Sequence, residues 1–375
     1  MIVKSCQIDS RADCIIKPKT HRHPSMTSLK TFRLAAFYCI AMLSAACAAP
    51  RWEIVKSGFI EPAPPVAEVH SSSIVEIAPG KFIATWFGGS KEGHDDVEIW
   101  VSRYENGAWT PGVSVANGVQ SDGKRHPTWN PVLYRAADGR VILFFKVGPS
   151  PTDWWGELLV SRDGGATWGN RSRLPKNLVG PVKNKPVRLK DGTLLCPSAR
   201  EYNKNDWAIC FERTDDSLVD WKKSDDVADP KKFRSIQPTI LIQPDGSLMA
   251  LSRSANREIS RTWSRDGGKT WTPLSGTGIA SINSGIDAIA LREGGMLLVY
   301  NPRVASDKSK WGARCPLVVD YSMDGEAWER AITLENVPVR NGYAYPAIIQ
   351  AQDGRVHITY TWNRARIKHV VLERK

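Results

Sequence analysis

The chain has 375 residues, seven of them cysteines, and a formal net charge of +12. A basic balance favours an anionic partner, but no arginine-rich run or nucleic-acid motif is present, which argues against nucleic acid as the target. No Cys/His spacing suits zinc, and Gly88-Gly89 and Gly267-Gly268 do not precede helices as nucleotide-binding loops would. Neither a metal nor an organic cofactor is expected.

In chain order, residues 1–48 read as a leader. Met1–Ser25 is polar and basic, and Met26 is a candidate start. Lys30 and Arg33 form a charged n-region, Leu34–Ala46 an apolar core, and Ala46-Cys47-Ala48 a small-x-small cleavage site. That core is too short to span a bilayer. The expectation is export to the periplasm or beyond, with no membrane span; a lipid anchor at Cys47 is the variant outcome. Without the leader's seven Lys/Arg and two Asp the charge falls to +7, and only Cys196, Cys210 and Cys315 remain. Cys196 and Cys210 either meet on neighbouring strands or stay as buried free thiols.

Residues 49–375 read as one domain of repeats. Alternating apolar runs at Thr239–Ile242, Ser247–Leu251 and Glu258–Trp263 suggest strands, the first two joined by Asp245-Gly246. The same hairpin signal stands at Asp138-Gly139, Asp191-Gly192 and Asp353-Gly354, with variants at Pro79-Gly80 and Glu293-Gly294. The six lie about 50–60 residues apart. An octet closes the unit, Ser264-Arg265-Asp266-Gly267-Gly268-Lys269-Thr270-Trp271, and recurs at Ser161–Trp168. Frayed copies stand at Ser322–Trp328 and Ser102–Trp109, and a poorer one ends at Trp221. Sheets of four strands that cannot bury both faces alone can stack around an axis. The predicted fold is all-β, a six-bladed β-propeller with four antiparallel strands per blade. Trp52–Phe59 has no hairpin partner and is expected to complete the last blade.

Antiparallel pairing brings the start of each first strand and the end of each second strand to one rim. The starts carry His70, Asn130, Lys183, Lys185, Gln237, Asn283, Asp287, Tyr343 and Tyr345. The ends carry Trp86, Lys146, Arg200-Glu201, Arg253, Asn301, Arg303, Trp362 and Arg364. Cations, amides and aromatic faces suit a carboxylated or sulfated sugar.

The octet Ser-x-Asp-x-Gly-x-Thr-Trp resembles the Asp-box of the sialidase (neuraminidase) superfamily. The likeness runs over residues 52–375, most closely to its bacterial BNR-repeat branch. The resemblance implies an arginine triad on a substrate carboxylate, a Tyr nucleophile activated by Glu, and an Asp acid/base. On this chain Arg253 matches the second arginine and Arg314 the third. Tyr345 stands at the nucleophile, and Asp95 or Asp96 in the acid/base loop. Two positions depart: His70 replaces the first arginine and Gln237 replaces the glutamate. Glu201 is a substitute base, and Lys183, Lys185 and Arg200 could restore positive charge. Asn130, Lys146 and Tyr343 complete the expected substrate contacts. The resulting expectation is a monomeric, secreted exo-glycosidase acting on a terminal acidic sugar of a glycan. A uronic-acid polysaccharide lyase using His70 and Tyr345, and a non-catalytic glycan-binding propeller, are the alternatives.

Overall fold

The computed structural model describes residues 50–227, 233–304 and 313–375. The leader read over 1–48, with Met26 and Cys47, lies outside the described residues. Among these residues there are 25 strands in six antiparallel sheets and no helix.

The opening strand β1 (Trp52–Phe59) belongs to the last sheet. Blade 1 holds β2 (Glu68–Ala78), β3 (Lys81–Gly89) and β4 (Glu98–Glu105), with β5 (Ala108–Trp109) and β6 (Val113–Ala116) both along β4. Blade 2 holds β7 (Thr128–Arg135), β8 (Val141–Val147), β9 (Trp155–Ser161) and β10 (Gly169–Arg173). Blade 3 holds β11 (Val187–Arg188), β12 (Leu194–Glu201), β13 (Trp207–Thr214) and β14 (Lys222–Lys223). Blade 4 holds β15 (Ser235–Ile242), β16 (Leu248–Ser254), β17 (Glu258–Ser264) and β18 (Ser275–Ala280). Blade 5 holds β19 (Asp287–Ala290), β20 (Met296–Tyr300), β21 (Leu317–Ser322) and β22 (Glu329–Glu335). Blade 6 holds β23 (Tyr343–Gln350), β24 (Val356–Trp362), β25 (Arg366–Arg374) and then β1, which pairs with β25 from Trp52↔Arg374 to Phe59↔Lys368. The ring closes as the unpartnered run Trp52–Phe59 suggested.

All six Gly-containing hairpins join the first strand of a blade to its second. The second strands are buried on both faces. In β8, Val141, Leu143, Phe145 and Val147 pack with Ile83, Phe87 and Ile99 of blade 1. The alternate residues Ile142 and Phe144 pack with Leu194 and Cys196 of blade 3. One strand thus feeds two cores, because successive side chains point to opposite faces.

The octets close the outer turns. Ser161 Oγ donates to Asp163 Oδ1 at 2.8 Å and accepts from the Gly165 N–H, while Asp163 accepts from the Thr167 N–H and hydroxyl. Ser264, Asp266, Gly268 and Thr270 repeat the pattern. The closing tryptophan packs on the neighbouring blade: Trp271 stacks on Phe211 of blade 3 at 3.7 Å. Cys196 and Cys210 are both buried and free; in the ladder Cys196 faces Glu212 and Cys210 faces Ser198, so the two are not opposite one another.

Candidate functional site

Four first strands share one irregularity at the rim. The ladder slips between His70 and Ser73 in β2, Trp129 and Val132 in β7, Ile236 and Thr239 in β15, and Ala344 and Ala347 in β23. Each slip holds a non-glycine residue at positive φ: Ser71 (57°), Asn130 (39°), Gln237 (56°) and Tyr345 (52°). Bulges at barrel rims re-aim side chains, and such backbone strain gathers at functional sites. Pro131, Pro238 and Pro346 follow three of these residues; proline leaves no N–H unpaired where the ladder breaks.

The bulges bring Tyr345 and Gln237 together with Arg253 from the end of β16. Arg253 Nη1 donates to the Tyr345 phenol oxygen at 2.8 Å and to Gln237 Oε1 at 3.1 Å, and its Nε donates to Asn283 Oδ1 at 2.9 Å. Gln237 Nε2 also donates to the phenol oxygen at 3.3 Å. The guanidinium carbons of Arg253 and Arg314 lie 5.7 and 5.8 Å from the Tyr345 ring centre. Two glycines make this crowding possible. A Cβ on Gly285 would come within 3.1 Å of the Tyr345 ring. One on Gly342 would meet the Arg314 Cβ at 2.5 Å, and the adjoining Tyr343 N–H donates to the Arg314 carbonyl.

His70 lies behind Tyr345, with ring centres 4.2 Å apart. It is 1% exposed and its Nδ1 is 2.9 Å from the Thr361 hydroxyl. Burial pushes its pKa well below the usual histidine value, and the charges of Arg364, Arg314, Arg253 and Lys183 add to the effect. His70 is therefore a neutral, buried support for the Tyr345 ring, and the structure gives it no open face toward a sugar.

Arg364 is a mouth residue for which the resemblance has no counterpart. It follows β24, stands at φ 60° and donates to Glu92 at 2.6 Å. Glu92 in turn acts electrostatically on Arg314 and Glu201. Asp95 and Asp96 sit on the same loop but at its exposed lip, in an open recess with Ser90, Gly93 and His94. Both Asp96 oxygens accept from Ser90. Slight desolvation opposes these hydrogen bonds, but they win and hold Asp96 below the usual carboxylate range.

The lysines expected at the mouth are spent inside the ring. Lys183 is 2% exposed, and its ammonium donates to Asn184 Oδ1, to the Ile286 carbonyl and to the Pro346 carbonyl of blade 6. Burial lowers its pKa to about 7. Lys185 grips both Asp287 oxygens at 2.9 Å, and Asp287 also accepts from the Thr239 hydroxyl and the Ile348 N–H. Lys146 is fully buried and donates to the Pro181 and Asn130 carbonyls. Tyr343 is buried, its hydroxyl donating to the Val337 carbonyl. The three lysines tie the ring together and Tyr343 closes the turn that leads into β23, in contrast to the substrate contacts expected of them. Arg200 donates to the Asn177 carbonyl and lines a groove beside the mouth, together with Glu201. Asn130 keeps its bulge position at the rim. Among the described residues no three His, Cys, Asp or Glu side chains converge as a metal site requires.

A six-sheet ring with arginines packed around a bulged tyrosine defines a sialidase-like β-propeller. The chain belongs to the BNR repeat-like domain family, whose model matches residues 80–358. It is similar to a sialidase of Paraclostridium sordellii, 27% identical over 137 residues that cover 32% of this chain and 33% of that one. It is also similar to an anhydrosialidase of Macrobdella decora, 24% identical over 235 residues, or 55% of this chain and 30% of that one. The chain spans about a third of the length of these relatives. Among solved structures, a protein of unknown function from Dyadobacter fermentans matches with a TM-score of 0.71 and 18% identity, over 87% of this chain and 100% of that one. The NanB sialidase of Streptococcus pneumoniae matches at 0.64 and 14%, over 86% and 70%. At these identities the structures speak for the fold alone.

Proposed function

We propose that the chain is an exported exo-glycosidase that releases a terminal acidic sugar from a glycan. The observation that carries this reading is the 2.8 Å hydrogen bond from Arg253 to the Tyr345 phenol oxygen, in a mouth shared with Arg314 and Arg364. The guanidinium groups suit a sugar carboxylate, for which their planar forks give bidentate geometry. Tyr345 suits the anomeric carbon beside it, since a carboxylate nucleophile would be repelled by that anion. With an amide at Gln237, negative charge developing on the phenol oxygen is met by Arg253 rather than drawn off by a base. Arg364, held by Glu92, brings from blade 6 a guanidinium where His70 of blade 1 brings no charge. A clamp rebuilt in this way suits an acidic sugar other than sialic acid: a uronic acid, a keto-deoxy sugar or a sulfated sugar.

The test is a product screen with the full chain against a fluorogenic sialoside, uronic-acid and keto-deoxy-sugar glycosides and an acidic polysaccharide. Release of an acidic monosaccharide, lost in Tyr345→Phe, supports the reading. Unsaturated products absorbing in the near ultraviolet would replace it with elimination. Gln237 favours a second reading, a glycan-binding propeller without turnover. Saturable, salt-sensitive binding with no product in any assay would establish that instead.

A further inference from the structure

Beside the mouth a groove of about 710 Å³ runs between blades 2 and 3. Resting on the glycosidase reading, we infer that this groove seats the leaving-group saccharide and that Glu201, at its inner end, is the acid that protonates the glycosidic oxygen.

The volume falls within the range of ligand sites of about 300–1,000 Å³, and the mouth already takes the terminal sugar. The groove therefore has room for the rest of the glycan. Its wall is built rigidly onto the mouth through a run of ring contacts. Tyr345 meets His70 at 4.2 Å, His70 meets Phe87 at 5.5 Å, Phe87 meets Trp129 at 6.3 Å, and Trp129 meets Trp154 at 6.2 Å. Trp129 is fixed by its indole N–H on the Gly148 carbonyl at 2.8 Å. Trp154 lines the groove, and a half-exposed indole offers an apolar face and polar edge of the kind a sugar ring matches. On the other side Arg200 donates to the Asn177 carbonyl at 2.8 Å, which ties the two walls together.

Glu201 ends β12 where groove and mouth join. It lines the groove, and it is electrostatically coupled to Arg253 and Glu92 of the mouth. Among the described residues its carboxyl has no hydrogen-bond partner, in contrast to Glu92 on Arg364 and Asp96 on Ser90. Burial raises its pKa and Glu92 adds to this, against the pull of Arg253, so it keeps its proton to higher pH than an exposed glutamate. Carboxyl groups driven apart in this way divide acid from anion roles. In the reaction Glu201 gives its proton to the glycosidic oxygen, and the electron pair of the breaking bond stays on that oxygen. As that bond breaks the Tyr345 oxygen bonds to the anomeric carbon and its phenol proton passes to solvent. The Glu201 carboxylate then takes a proton from the water that displaces Tyr345. The electron pair of the Tyr345–carbon bond returns to the phenol oxygen, which regains a proton. Glu201 ends as it began, and the water hydroxyl ends on the acidic sugar.

The experiment compares two substrates bearing the acidic sugar that the product screen releases, one with a 4-nitrophenol leaving group and one with an oligosaccharide. Nitrophenolate leaves without help, whereas a sugar alkoxide needs a proton. Glu201→Gln should lower kcat/KM on the oligosaccharide by about 10²–10⁴-fold, with a loss at least tenfold smaller on the nitrophenyl glycoside. Trp154→Ala should raise KM for the oligosaccharide more than for the nitrophenyl glycoside. Equal losses on both substrates in Glu201→Gln overturn the inference, as does the leaving-group-dependent loss falling on Asp95→Asn or Asp96→Asn. Those results would leave the glycosidase reading standing. A wild-type chain that releases no acidic sugar in the product screen overturns both.

Discussion

Arg253 and Tyr345 come from blades 4 and 6, yet the guanidinium of one is hydrogen-bonded to the phenol oxygen of the other. Arg253→Lys keeps the charge but not the fork that serves Tyr345, Gln237 and Asn283 together. Breaking a buried, hydrogen-bonded charge contact costs about 2–5 kcal/mol. Steady-state kinetics on the released sugar should show kcat/KM down by at least about thirtyfold, with the melting temperature shifted by only a few degrees.

Gly285 sets how far the Tyr345 ring can settle. A methyl group there meets the ring at 3.1 Å and the Lys183 Cε at 3.3 Å, so the ring must give way by a few tenths of an ångström. Gly285→Ala should lower kcat by about tenfold with a small effect on folding, since sub-ångström misplacement of a reacting group is costly. Unchanged kcat would mean that Tyr345 is not held to a defined position.

Asp287 ties blade 5 to three others by accepting from Lys185, Thr239 and Ile348. Asp287→Ala leaves the Lys185 ammonium without its carboxylate, and removing one partner of a buried pair costs about 3–5 kcal/mol. Urea titration followed by tryptophan fluorescence should show the midpoint falling sharply. A loss below 1 kcal/mol would mean that the tie adds little to the ring.

The blade 6 to blade 1 seam should be sensitive to acid. The Trp109 indole, a donor only, points at His369 Nδ1 at 3.2 Å, so His369 carries its proton on Nε2 and donates to His357 Nδ1 at 3.0 Å. Burial lowers both pKa values, to about 4 for His357 and about 3 for His369. The unfolded chain, with histidines near 6.5, then binds more protons than the folded one once the pH drops below that value. Stability should fall from about pH 6.5 down through pH 4, by up to about 1.4 kcal/mol per pH unit for each histidine titrating. Melting curves from pH 7 to pH 4 should show this slope, flattened in His357→Gln/His369→Gln.

Ser264 separates folding from chemistry. Its hydroxyl caps the buried Gly268 N–H at 2.9 Å, far from the mouth. Ser264→Ala should cost about 1–3 kcal/mol, the penalty for an unsatisfied buried donor, and leave turnover per folded molecule unchanged.

The architecture was legible because its signals are local. An Asp-Gly pair or an Asp-box folds on its own neighbours, so the six hairpins and the octets announced the blades directly. The mouth was legible in part. Antiparallel geometry named Arg253, Gln237 and Tyr345, and the structure brings them into one hydrogen-bonded group. Partners far apart in sequence gave no pattern to follow. Lys183 finds the Ile286 carbonyl 103 residues on and the Pro346 carbonyl 163 residues on, and Arg364 finds Glu92 across 272 residues. The lysines therefore looked like free cations, and Glu92 and Arg364 went unassigned as a pair. One signal was present and unread: Asn130-Pro131, Gln237-Pro238 and Tyr345-Pro346 place a proline inside three first strands, where only a bulge or an edge accepts one.

The pairing of β1 with β25 also settles where the two ends of the ring emerge. Trp52 lies opposite Arg374, and the Lys375 N–H donates to the Arg51 carbonyl at 2.9 Å. Leu372 pairs with Val356, just past the Asp353-Gly354 hairpin, so both ends leave from the underside and Arg364 stands at the opposite rim. Chain attached directly at Arg51 or Lys375 therefore starts from beneath the ring, with the mouth at the opposite rim. Arg51 and Lys375 are also close enough for a short linker to join them, so a ring of residues 51–375 could be reopened at another hairpin with every blade intact.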